Sequence, residues 1–110
     1  MNNDRAASSF AALGHPARVG ILRLLVQAGH DGLNMGDLRA RLGVPASTFS
    51  HHLKAMADAG LVAQQKKGRE VISTVDFSAL QAVAVFLMED CCAGACTPNP
   101  NQQPAEEPIR

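Results

Sequence analysis

The most constraining feature of this chain is a tight turn between two short helical patterns. Asn34 is placed to cap a helix carrying Leu38 and Leu42, and Gly43 stands where a helix stops in a left-handed residue. Two residues later Pro45 opens a second helix. There Phe49, Leu53, Met56 and Ala57 recur at i, i+4, i+7 and i+8, and Gly60 ends the pattern. Two helices meeting across Gly43-Val44 outline a helix-turn-helix. The period then changes. Leu61–Gln65 and Val71–Val75 are β-prone runs flanking Lys66-Lys67-Gly68-Arg69, which predicts a hairpin with a glycine in its turn and three cations at its tip.

Helical patterns also flank this centre. Residues 4–13 carry Ala6, Phe10 and Leu13 at helical spacing, ending at Gly14. Pro16 fits the first position of a helix running to about Ala28, with a broad apolar face of Val19, Leu22, Val26, Ile21 and Leu25. His30–Leu33 reads as a connector. Asp76 is placed to cap a last helix whose apolar face is Leu80, Val83, Ala84, Leu87 and Met88. The expected fold class is therefore mainly α with a small β-hairpin, a winged helix-turn-helix. With 110 residues there is room for one domain. Trp and Tyr are absent and only four Phe occur, so the core must be aliphatic. We place the domain at 1–96. Residues 97–110 hold four prolines and no apolar period, which predicts a disordered, acidic tail. No signal peptide is legible, and the apolar run Ala79–Met88 is too short to span a bilayer. The expectation is a cytoplasmic protein with no membrane association.

The net charge of zero hides a division. Between Arg18 and Arg69 eight basic residues face three acids, whereas Glu70 to Arg110 holds six acids and one arginine. A basic centre fits a phosphate partner, although a solvated surface would look the same. With Phe49, Leu53 and Met56 turned inward, the second helix shows Ser47, Ser50, His51 and Lys54, with Thr48 near its start. Short hydroxyl side chains let a helix approach base edges closely, and a recognition helix reads with its N-terminal residues. Lys54, Arg39 and Arg41 are placed for phosphates, and Lys66, Lys67 and Arg69 for the backbone or minor groove. Each element has a plainer reading. Ser47 and Thr48 could be helix caps, and Lys-Lys-Gly-Arg a solvated turn. His51 and His52 could be surface and boundary residues. The ordered combination is more specific than its parts, and it predicts double-stranded DNA as partner.

Three cysteines, Cys91, Cys92 and Cys96, lie within six residues. An odd number packed this tightly is not a disulfide framework. Soft thiolates select soft ions, and trivalent arsenic favours a pyramid of three sulfurs. On a continuous helix Cys92 and Cys96 share a face while Cys91 points about 100° away. Convergence therefore needs the helix end to unwind, which Gly94 eases. Two other readings stay open: a structural end of three small apolar residues, and a thiol redox or persulfide sensor bridging Cys92–Cys96 or Cys91–Cys96. No nucleophile–base arrangement, phosphate-binding glycine loop or metalloprotease motif is present, so an enzyme is not expected.

Residues 11–76 resemble the arsenic-responsive ArsR/SmtB type of winged-helix repressor. The resemblance lies in Ala12-Leu13-Gly14-His15-Pro16-Ala17-Arg18 and Ile21-Leu22-Arg23-Leu24-Leu25. It continues in Ser47-Thr48-Phe49-Ser50-His51-His52-Leu53-Lys54, Ala59-Gly60-Leu61-Val62 and the Lys67-Gly68-Arg69 wing. The resemblance implies a homodimer on inverted-repeat operator DNA that represses until an inducer binds. It also implies that the first and last helices form the dimer interface, here Phe10, Leu13, Leu80, Val83 and Leu87. One inducer site of such proteins is a Cys-x-Cys pair whose counterparts here are Asn34 and Gly36. Another is a last-helix set of Asp and His, where Asp76 is present but Ser78 replaces the His. Cys91, Cys92 and Cys96 remain, similar to the C-terminal clusters of some arsenite-responsive members. The expected inducer is trivalent arsenic, with antimony, cadmium or mercury as further soft ions and no organic cofactor.

Overall fold

The computed structural model describes residues 1–89. The cysteines Cys91, Cys92 and Cys96, the domain end at 96 and the expected tail 97–110 lie outside the described residues. The element order is α1 (Asn3–Ala12), α2 (Pro16–Ala28), a 3-10 turn (Gly29–Asp31), β1 (Leu33–Asn34), α3 (Met35–Leu42), α4 (Ala46–Asp58), β2 (Val62–Lys67), β3 (Glu70–Val75) and α5 (Phe77–Met88). The winged helix-turn-helix expected from the sequence is the fold observed.

Local chemistry sets the helix ends. The Asn2, Asn34 and Asp76 side chains accept backbone N–H groups of Arg5, Asp37 and Ala79. The His15 ring does the same for Ala17 at the start of α2, where Pro16 takes the first helical position. Gly43 adopts φ +69 and ends α3 in the left-handed conformation, so α4 can restart within three residues.

The core joins α2, α3 and α4 to the base of the hairpin. Ile21, Leu25, Leu38, Phe49, Leu53, Met56, Val62 and Val75 form one buried cluster. Each large aliphatic or aromatic side chain buried here contributes about 2 kcal/mol. The apolar face expected for α2 was too broad. Ile21 and Leu25 are fully buried, but Val19 and Val26 are largely exposed. The helix needs only one stripe to pack, and Val19 and Val26 lie outside it.

The sheet has three strands in the order β1-β3-β2, all antiparallel. The connector expected at His30–Leu33 therefore holds both a 3-10 turn and a strand. β1 is only two residues long, pairing Leu33 with Ser73 and Asn34 with Ile72, too short to show a period. Gly32 makes the pairing possible. It sits at φ +70, and a Cβ there would collide with the Ser73 carbonyl and approach the Thr74 methyl to 2.6 Å. Gly32→Ala should therefore cost more than the roughly 1–3 kcal/mol of backbone strain alone. Gly36→Ala, whose Cβ would only touch the Asn34 side-chain oxygen at an ordinary 3.6 Å near the start of α3, should be neutral or stabilise by up to about 1 kcal/mol. Paired thermal melts check this, and equal midpoints for the two variants would contradict it.

Candidate nucleic-acid interface

The second helix of the motif, α4, begins in an unusual way. Its N-cap is Pro45, in an extended conformation, and no side chain caps the first turn. The first helical bond runs from the Phe49 N–H to the Pro45 carbonyl at 2.9 Å. Ser47 and Thr48 are therefore not caps. Both are exposed, as are Ser50, His51 and Lys54. Phe49, His52, Leu53 and Met56 are buried beneath them. The outer face is thus a row of short polar side chains over backbone N–H groups that lack a side-chain acceptor. Such a helix end favours an anion through its free N–H groups and its dipole.

Cations flank this row. Arg39 and Arg41 stand exposed in the last turn of α3. The hairpin of β2 and β3 adds further cations; its register runs from Val62 opposite Val75 to Lys67 opposite Glu70, and Arg69 at its tip lines a cleft with Asn34, Met35 and Gly36 at the start of α3. The turn is thus only Gly68-Arg69. Lys66 and Lys67 lie on β2 rather than in the loop, a correction to the tip expected from the sequence. Beyond Val62 every residue of β2 is exposed, as befits a solvated wing. Among the described residues the single ion pair is Lys54–Asp58, at 3.1 Å and one turn apart on α4. Lys54 is thus engaged, and meeting a phosphate means exchanging an exposed pair worth only about 0.3–0.5 kcal/mol. Arg39, Arg41, Lys66, Lys67 and Arg69 have no such partner among the described residues.

Two residues of this region escape the sequence reading. His52 is buried, 5% exposed, rather than at a boundary. Its Nδ1 accepts from Arg18 Nε at 2.9 Å, and the same guanidinium reaches the Ala12 carbonyl at 3.4 Å. The available signal was periodicity: positions 49, 52, 53 and 56 are one helical stripe.

The proposed dimer residues separate into two groups. Val83 is buried within the single chain, and Leu13 and Leu80 pack against the core. Phe10 (45% exposed) and Leu87 (57%) stand open, joined by Val85 (57%) and Met88 (68%). Among the described residues no helix is long and apolar enough to cross a membrane.

Comparison with known proteins agrees with this geometry. A family model described as a helix-turn-helix domain matches residues 13–65. The HTH-type transcriptional regulator YgaV of Escherichia coli is 32% identical over 89 residues, covering 81% of this chain and 88% of YgaV. An ArsR-like transcriptional regulator from Rhodococcus superposes with a TM-score of 0.68 at 33% identity, over 76% of each chain. Reduced HlyU from Vibrio cholerae gives a TM-score of 0.64 at 25% identity, over 82% of this chain and 93% of that one.

Proposed function

This chain belongs to the ArsR-type family of winged helix-turn-helix transcriptional regulators, and from that membership we propose a cytoplasmic repressor that binds operator DNA as a homodimer and lets go when a thiophilic ion binds Cys91, Cys92 and Cys96. The observation that carries the DNA half is the uncapped start of α4, with Ser47, Thr48, Ser50 and His51 exposed, together with the exposed cations of α3 and the wing, which have no ion-pair partner among the described residues. In this reading the α4 side chains meet base edges, while Arg39, Arg41, Lys66, Lys67 and Arg69 meet phosphates. Lys54 joins the latter after leaving Asp58. The exposed Phe10, Val85, Leu87 and Met88 supply the apolar surface for a second copy.

The sensing half rests on the donor set. Three thiolates within six residues suit trivalent arsenic, and they are the chain's only cysteines. Release requires the ion to bind the DNA-free conformation better than the DNA-bound one, a coupling of about 1–3 kcal/mol. Cys92→Ser should still bind a DNA duplex selected by the unmodified chain, yet no longer release it with arsenite. Binding lost without arsenite would make Cys92 structural, and unchanged release would remove it from the site.

A second reading keeps the reader and changes the stimulus: the cysteines sense oxidation or persulfide. It is favoured by the likeness to HlyU, a protein whose structure is described in a reduced form. Mass spectrometry of the chain after oxidant treatment, beside arsenite titration, separates the two. A loss of two hydrogens with release of the duplex supports the redox reading.

A further inference from the structure

Arg18 ties three elements together. It stands in the first turn of α2, donates from Nη1 to the Ala12 carbonyl at the end of α1, and donates from Nε to His52 on α4. The helix placed to read DNA, the helix placed at the dimer surface and the scaffold between them thus meet on one guanidinium. An arginine only donates, so Nδ1 of His52 must present a lone pair and the ring proton sits on Nε2. That Nε2 is buried and has no hydrogen-bond partner.

The surroundings of His52 are uniformly hostile to a second proton. From the α1–α2 corner His15 approaches with ring centroids 4.4 Å apart. From α2 comes the Arg18 guanidinium, and from α4 itself His51 at 5.9 Å. Asp58 lines the cleft that Arg18 shares with Ala11, Ala12 and Ala55, but no carboxylate is among the groups that act on His52. Burial first, then His15, Arg18 and His51, push the His52 pKa below its ordinary 6.5.

We propose that Arg18 and His52 form a proton-sensitive latch, holding α4 in its reading position against the α1–α2 corner while His52 is neutral and releasing it when Nδ1 takes a proton from solvent. The protonated ring turns an N–H toward the Arg18 N–H, so the bond is lost and two positive groups are left facing each other in a buried site. Because the folded pKa is depressed, the released or unfolded state takes the proton first. The stabilisation is therefore whole above about pH 6.5 and is lost as the pH falls below it. The latch rests on the DNA-reading role of the family and not on the cysteines, so failure of the arsenite experiment leaves it standing.

The direction is diagnostic. Acidification normally adds positive charge and tightens a grip on phosphate. The latch predicts the opposite. At fixed salt and without added metal, the unmodified chain should bind its selected duplex more weakly near pH 5.5 than near pH 7.5, by up to about tenfold. In His52→Gln the amide oxygen can accept from Arg18 but does not titrate. Whatever its absolute affinity, this variant should bind at least as tightly near pH 5.5 as near pH 7.5, because the acid weakening is gone and the ordinary gain of positive charge remains. An acid loss in His52→Gln equal to that of the unmodified chain, or tighter binding by the unmodified chain in acid, overturns the proposal. Should His52→Gln fail to fold, the His52 Cε1–H resonance of the unmodified chain decides. Adding duplex must move its titration to lower pH, and an unmoved midpoint overturns the latch.

Discussion

Replacing Ser50 with glutamate should weaken binding to the selected duplex by about 100-fold or more while leaving the fold intact. Ser50 is exposed on the outer face of α4, one position beyond the buried Phe49. A carboxylate there points where phosphate oxygens and base acceptors would lie. Like charges brought together in such an interface cost several kcal/mol, and about 2.7 kcal/mol is already 100-fold. Stability should change by no more than about 0.5 kcal/mol, as for other exposed positions. Gln27→Glu, on the exposed side of α2, adds the same charge away from the reading face. It separates a local effect from the loss of one positive unit in net charge. Equal weakening by both variants in a filter-binding or anisotropy titration would remove α4 as the reader.

That prediction draws on a part of the molecule that was largely legible in the sequence. The stripe Phe49, Leu53 and Met56 assigns an inside to α4, and whatever lies opposite must face out. Asn34 and Gly43 carry their own end signals, and both signals act as expected. What was not legible depends on contacts between distant segments. β1 exists because Gly32 lets the chain approach Ser73, some forty positions away, and a two-residue strand has no period to read. The burial of His52 follows from its place in the stripe, but its partner does not: Arg18 is brought to it by packing of α2 on α4. The dimer residues show the same limit. Val83 and Leu87 share one helical face in the sequence. Only the folded chain shows that the first is covered by its own domain and the second stands open.

That open end of α5 is where the last large effect is expected. α5 is apolar on nearly all sides, yet within one chain it buries only Val83 completely. A helix of that kind is stable in water when something covers its outer faces. Val85, Leu87 and Met88 leave such an uncovered surface at the end of the helix, and Phe10 of α1 is exposed as well. Covering the three α5 side chains with a second copy would supply about 1.5–3 kcal/mol for each one fully buried, less the cost of association. Leu87→Glu forces a carboxylate into that contact. Unpaired burial of a charge is far costlier than the gain it replaces, so the dimer should dissociate at least about 100-fold more readily. The folded monomer should survive, because Leu87 is exposed and outside the core cluster. A monomer holds only one half-site, so affinity for an inverted-repeat duplex should fall by a further 100-fold or so as the tethering of two readers is lost. Affinity for a single half-site should hardly change. Sedimentation equilibrium reads the first expectation and paired duplex titrations the second. A Leu87→Glu chain that stays dimeric would place the contact elsewhere than the end of α5.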